Sequence, residues 1–140
     1  MILKVKKNHP DAIVPSYAHH GDAGMDMRTP EEVTVAPGEV SKIKTGIALE
    51  IPDGHVALCW DKSSIGMNHS IKTIGGVIDA SYRGEVVVGV INLGKEPYTF
   101  KKGEKLAQIL IQKVERPEVE EVAELSETSR GEGGFGSTGK

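Results

Sequence analysis

The sequence predicts an all-β domain, a sandwich or barrel of short strands, on three observations. Helical periodicity is nearly absent, short apolar or alternating runs recur in its place, and Gly and Pro turns separate those runs. In order, the runs are Ile2–Val5, Val33–Val35, Ser41–Ile51, His55–Cys59, Glu85–Asn92 and Leu106–Gln112. Their Val, Ile and Leu content suits a half-buried pleated surface. The turns are Ala36-Pro37-Gly38, Pro52-Asp53-Gly54, Leu93-Gly94-Lys95 and Lys102-Gly103-Glu104, where proline presets one backbone angle and glycine accepts a positive one. One short helical turn fits, within Ser63–His69, and no internal repeat is present.

A chain of 140 residues suits one domain. With 4% aromatic and 38% hydrophobic residues, its core must rest on Val, Ile, Leu and Ala. A modest β core gains further burial by oligomerising. The net charge of -3 offers no basic face to a nucleic-acid duplex, yet it leaves room for a small anionic ligand held by a few placed cations and backbone N–H groups. The single cysteine, Cys59, excludes an intrachain disulfide and the usual Cys-based zinc sites. The five histidines are scattered and receive no role. The start, Met1 then Ile-Leu-Lys-Val-Lys-Lys, is too short and charged for a signal peptide, and no apolar run approaches ~18–20 residues. A cytoplasmic protein without membrane association is expected.

The chain divides at about residue 128, into a β domain with a C-terminal arm (1–128) and a tail (129–140). In the arm, six glutamates lie between Glu115 and Glu127 among Val119, Val122 and Leu125. This pattern suits either an edge strand that pairs with a neighbouring subunit or a solvated acidic connector. The tail, Arg130 to Lys140, has five glycines and cannot support a packed element. Glycine lets a backbone approach phosphate and present its N–H groups. Arg130 adds a planar charged fork, Ser137 and Thr138 add hydroxyls, and Phe135 adds a face for stacking on a base. A flexible terminus with incidental residues is the alternative. Gly134 to Lys140 reads G-x-x-x-x-G-K, but the Ser/Thr and the helix that complete a P-loop do not follow Lys140.

Gly75-Gly76-Val77-Ile78-Asp79-Ala80-Ser81-Tyr82-Arg83-Gly84-Glu85 closely resembles the uracil-binding hairpin of the trimeric dUTPases. Ala23-Gly24-Met25-Asp26-Met27 resembles the first motif of that family, and Lys62-Ser63-Ser64-Ile65-Gly66 resembles the second. Gly103-Glu104-Lys105-Leu106-Ala107-Gln108 is similar to the fourth motif, and Arg130 to Gly139 to the fifth. Five ordered motifs cover the chain from about Ala23 to its end. The resemblance implies a distorted jelly-roll-like β-barrel forming a homotrimer, with three active sites shared between subunits. It further implies Mg2+-assisted hydrolysis of dUTP to dUMP and diphosphate, which limits uracil incorporation into DNA and supplies dUMP for dTMP synthesis.

The resemblance also assigns roles. Asp79 is the general base that orients water on the α-phosphorus; by pattern alone an aspartate of a hairpin turn is the better reading, and the resemblance reverses this. Tyr82 lies against the deoxyribose and leaves no room for a 2′-hydroxyl, its plainer reading being an aromatic packed on the barrel. The backbone of Gly76, Val77 and Ile78, with Gly75, pairs with the uracil edge, and Phe135 caps the base. Lys62, Ser63, Ser64, Gln108, Arg130, Gly136, Ser137 and Thr138 contact the phosphates, Arg130 holding the γ-phosphate. Asp26 acts on the magnesium through water. The chain departs from the family at Lys62, where Arg is usual, and at Met25, Ser64 and Ser81. Thr73 lies near where some members carry an asparagine.

Two other readings compete. A dCTP deaminase shares the barrel and needs a catalytic Glu on the strand after the hairpin, but this chain has Gly89 there. A non-catalytic trimeric nucleotide-binding or regulatory module would not need Asp79, Tyr82 and the tail together.

Overall fold

Val33–Val35 and Glu85–Asn92 are strands with the expected bounds, and Ser63–His69 forms the one helix, in a computed structural model that describes residues 1–134. In chain order the strands are β1 (Lys4–Lys7), β2 (Met25–Arg28), β3 (Val33–Val35), β4 (Val40–Glu50) and β5 (His55–Trp60). After helix α1 (Ser63–His69) come β6 (Ile71–Ile74), β7 (Val77–Asp79), β8 (Glu85–Asn92), β9 (Tyr98–Phe100) and β10 (Lys105–Lys113). The first strand begins two residues later than its apolar run. β2, β6 and β9 have only three or four residues each, too few for a period to show.

The strands form three antiparallel sheets, ordered β1-β4-β8-β6, β2-β10-β5-β7 and β3-β9. The two larger sheets share their core. Met25 and Met27 of β2 and Ile109 of β10 pack with Ile47 and Leu49 of β4 and Val86 of β8. A second cluster joins Ile43, Val88 and Val90 to Leu106, Phe100 and Ile65 of the helix. Alternation along β8 sends Val86, Val88 and Val90 inward, as a sheet with one buried face requires.

Two buried polar groups tie the sheets to their loops. Asn92 is fully buried and donates to the carbonyls of Val35 (2.9 Å) and Glu96 (2.8 Å), while its Oδ1 accepts from Gly94 N–H (2.9 Å). Every polar atom of that amide is thereby used, which removes most of the burial cost. Gly46 sits in a bulge of β4, at φ 71°, between the pairs Lys44↔Val87 and Ala48↔Glu85. Its N–H donates to the carboxylate of Glu85 at 2.9 Å, and its C=O accepts from Asn8 N–H at 2.7 Å.

Beyond Lys113 the described residues contain no strand. The acidic arm is exposed, Val119 and Leu125 being 91% and 87% accessible. Within one chain it is therefore not an edge strand. No described helix is long and apolar enough to cross a membrane.

Candidate functional site

β5 lies between the two halves of the site. On one side β10 pairs with both β5 and β2, so Gln108 stands opposite Trp60 and opposite Asp26. The end of β5 runs directly into Asp61, Lys62, Ser63 and Ser64. Three of the motifs thus meet because two antiparallel registers align them.

Asp26 is 5% exposed, and both of its oxygens hold a lysine. Lys62 Nζ lies 2.8 Å from Oδ1, and Lys105 Nζ lies 2.7 Å from Oδ2. Burial pushes the Asp26 pKa up most strongly, but the two lysines together outweigh it and hold the group below the ordinary 3.8. A carboxylate has about four lone-pair sites, so two remain after the lysines, and each ammonium keeps two further donors. Arg28, on the same face of β2 by strand alternation, donates to Gly103 C=O at 2.8 Å. Arg28, Lys62, Ser64 and Lys105 line one cavity of about 380 Å3. Sequence reasoning missed Arg28 and Lys105 as members of this cluster. The signal was the two-residue spacing from Asp26 to Arg28, which became meaningful only once the register placed Lys105 opposite Arg28.

Ser63 and Ser64 open the helix and are exposed; no side chain caps it. Gln108 Nε2 donates to Asp61 C=O at 2.9 Å. Gly24 gives Gln108 its room, since a β-carbon at residue 24 would fall 2.6 Å from Oε1.

The other half lies across β5. β7 is the outer strand of its sheet, with Asp79 opposite Val56 and Ile78 opposite Ala57. Cys59 N–H donates to Gly76 C=O at 2.8 Å. Antiparallel bonding alternates along a strand, so Ile78 faces β5 while Val77 turns its N–H and C=O to the open edge. Gly75 and Gly76 reach that edge with φ of 71° and 106°, and a β-carbon on Gly76 would meet Cys59 O at 2.7 Å. Glycine is therefore required at 76 by both backbone angle and space.

Asp79 is exposed, and its C=O accepts Tyr82 N–H at 3.1 Å, closing the hairpin turn. Arg83 Nη1 donates to Ala80 C=O (2.6 Å) and to Tyr82 C=O (3.0 Å), which pins the turn from outside. Val77, Ile78, Asp79, Tyr82 and Glu85 line a second cavity of about 240 Å3.

The two halves adjoin where Gly76 meets Cys59, but Asp79 stands at the far end of β7. Asp79 faces Val56, and the phosphate-side residues begin past Trp60, four residues on. At about 3.3 Å per residue that is about 13 Å along β5. Arg130 joins neither half; its Nε donates to Gly133 C=O at 2.7 Å within a local turn. Phe135, Gly136, Ser137 and Thr138 lie outside the described residues. At the deaminase position stands Gly89, where a β-carbon would fall 2.9 Å from Ile74 Cγ1 and 3.0 Å from its carbonyl oxygen, so a side chain there would require Ile74 to shift.

The dUTPase family model matches residues 10–139. A deoxyuridine 5'-triphosphate nucleotidohydrolase of Clostridioides difficile is 46% identical over 139 residues, covering 98% of this chain and 97% of the relative. Its counterpart in Clostridium kluyveri is 45% identical, over 99% of both chains. Among solved structures, the Staphylococcus bacteriophage 80alpha dUTPase with dUPNHPP superposes at a TM-score of 0.94, 30% identical over 99% of each chain. A dUTPase of phage phi11 of S. aureus, described with a structural Mg(II) ion, superposes at 0.84 with 27% identity, covering 89% of this chain and 98% of that one. With the hairpin edge, the buried aspartate and the helix start all in place, the chain belongs to the dUTPase family.

Proposed function

We propose that this protein is a dUTP diphosphatase that splits dUTP into dUMP and diphosphate. The observation that carries the reading is that one hairpin, Gly76–Tyr82, brings an open peptide edge, a carboxylate and an aromatic ring to one cavity. Uracil offers a donor between two acceptors, and the backbone around Val77 can pair with that pattern. Cytosine reverses part of it and would strand buried groups. Tyr82 stacks on the deoxyribose and excludes a 2′-hydroxyl. Asp79 holds a water in line with the α-phosphorus and takes its proton as the P–O bond forms; diphosphate departs on the opposite side.

Lys62, Ser63, Ser64 and Gln108 hold the phosphates, helped by Arg28 and Lys105 in the same cationic cluster. The tail closes over the nucleotide, with Arg130 at the γ-phosphate, Phe135 on the base, and Gly136, Ser137 and Thr138 along the phosphates. Closure excludes bulk water.

The residues present fit a magnesium ion carried by the nucleotide rather than by a protein cage. Among the described residues no three His, Cys, Asp or Glu side chains converge, while Asp26 keeps two lone-pair sites beside the phosphate cluster. Asp26 is the residue that would hold it, through water. When bound, magnesium neutralises phosphate charge and aligns the triphosphate.

The distance along β5 from Asp79 to the phosphate-side segment supports a homotrimer in which one subunit's hairpin faces another's phosphate cluster. The uncovered Val119 and Leu125 of the acidic arm suit the same assembly. A cytoplasmic setting fits a substrate of the nucleotide pool.

The deciding experiment incubates the protein with dUTP, dCTP and UTP in the presence of magnesium. Release of dUMP and diphosphate from dUTP alone is expected; inert dUTP, or deamination of dCTP, overturns the reading. The trimer is checked by mass in solution.

A further inference from the structure

β6 is the last strand of its sheet, and its open edge is closed by a side chain rather than a strand. Asp61 Oδ1 accepts both the N–H of Thr73 (2.6 Å) and its hydroxyl (2.7 Å). Asp61 Oδ2 takes Lys72 Nζ at 2.6 Å, and the Asp61 carbonyl takes Gln108 Nε2 at 2.9 Å. One residue therefore joins the edge of one sheet to β10 of the other, immediately before the phosphate-side segment.

Thr73 is also the third residue before Gly76. Between Asp61's grip and the Cys59–Gly76 bond lie only Ile74 and Gly75, and both glycines have positive φ. A glycine pair has the widest conformational choice in the chain, so its direction depends on what is fixed at each end. One end is fixed by β5. The other is fixed at Thr73, through β8 on one side and Asp61 on the other.

We infer that Asp61 is a positioning residue for base selectivity, holding Thr73 so that the Gly75–Val77 peptide edge keeps one donor–acceptor pattern. The inference rests on the reading of that edge as the base-recognition strand. Without the grip, the glycine pair turns its peptides more freely, and the edge accepts a base of the opposite pattern. A donor or acceptor left unpaired is the source of discrimination, and freedom to rotate removes it.

The test compares kcat/KM for dUTP and dCTP in wild type and in Asp61→Ala, Asp61→Asn, Thr73→Val and Lys72→Met. Asp61→Ala is expected to lower the preference for dUTP by about tenfold or more, mainly through KM, because strict readout by hydrogen bonds exceeds that range. Asp61→Asn keeps an acceptor oxygen for both Thr73 groups and should stay within about threefold of wild type, since it alters only a partly exposed charge pair. Thr73→Val removes one of the two bonds and should fall between them. Lys72→Met should leave the preference unchanged. An unaltered preference in Asp61→Ala, whatever its melting temperature or total activity, overturns the inference. If that variant does not fold, an unaltered preference in Thr73→Val does the same. Inert wild-type protein would overturn the dUTP reading as well, whereas active wild type with unaltered variants removes this inference alone.

Discussion

The ring of Tyr82 lies against the backbone of Gly84, so close that a β-carbon there would fall 2.4 Å from Oη and 2.5 Å from Cζ. Tyr82 Oη also donates to Glu85 C=O at 3.0 Å, so the phenol end of the ring is held by both contacts. Gly84→Ala therefore displaces a half-exposed ring rather than the core. We expect a stability change within about 1 kcal/mol and about a tenfold loss of discrimination against UTP, on the scale of one steric contact. Parallel kcat/KM values for dUTP and UTP, with a thermal melt, check this. Unchanged rejection of UTP would clear Tyr82 of the sugar-sensing role.

Asp79→Asn removes the proposed base while preserving the turn, because the turn bond uses the backbone carbonyl of Asp79. Turnover should drop by about 10²–10⁴-fold, the usual worth of a placed general base. Affinity for a non-hydrolysable dUTP analogue should stay near wild type. Near-normal turnover would return Asp79 to a turn residue.

Replacing Asp26 leaves two ammonium groups facing each other without their carboxylate. Breaking a fully buried pair costs about 3–5 kcal/mol, and the partly exposed lysines bring the expectation for Asp26→Ala to about 1–3 kcal/mol. The pH dependence has a definite sign. Because the folded pKa lies below 3.8, the carboxylate's contribution is complete above that value and is lost as pH falls through the lower folded pKa. The gap in unfolding free energy between wild type and Asp26→Asn should therefore narrow from about pH 5 to about pH 2. A gap that widens on acidification would contradict the lysine pairing.

Cys59 should resist thiol reagents. Burial, and next the charge of Asp61, push its thiol up to about 11. At pH 8 only about 0.1% is then thiolate, the nucleophilic form. Slow labelling of native protein, with rapid labelling in denaturant, is the expected pair of results.

Deleting residues 130–140 should leave the fold intact, because the hydrogen bonds of Arg130, Gly131 and Gly133 stay within 128–133. Catalysis should fall sharply as the lid and the Arg130 charge are lost. Circular dichroism and mass in solution separate this outcome from unfolding, which would instead make the tail structural.

Much of the candidate site was legible because it is written in short, nearly contiguous motifs. The glycine pair is plain in the sequence, while the reason for Gly76, its positive φ and the closeness of Cys59, comes from the structure. Lys62, Ser63 and Ser64 follow one another directly. Arg28 and Lys105 were not legible as partners, since they are distant in the chain and meet only through the β2–β10 register. Asp61 was invisible for the same reason, its chief partner being twelve residues away on another strand.

By itself the sequence determined the strand-and-turn character, a short helix at Ser63–His69 and the order of the motifs. These follow from side-chain period, proline and glycine, which act over a few neighbouring residues. Only the tertiary structure decided that Asp26 is already paired with two lysines and that β7 has an open edge. It alone placed Asp79 opposite Val56, four residues and about 13 Å along β5 from the strand end that leads into the phosphate-side segment, given about 3.3 Å per strand residue. Those are matters of strand pairing and sheet order, set by which faces bury together, and no local pattern encodes a distance between strands.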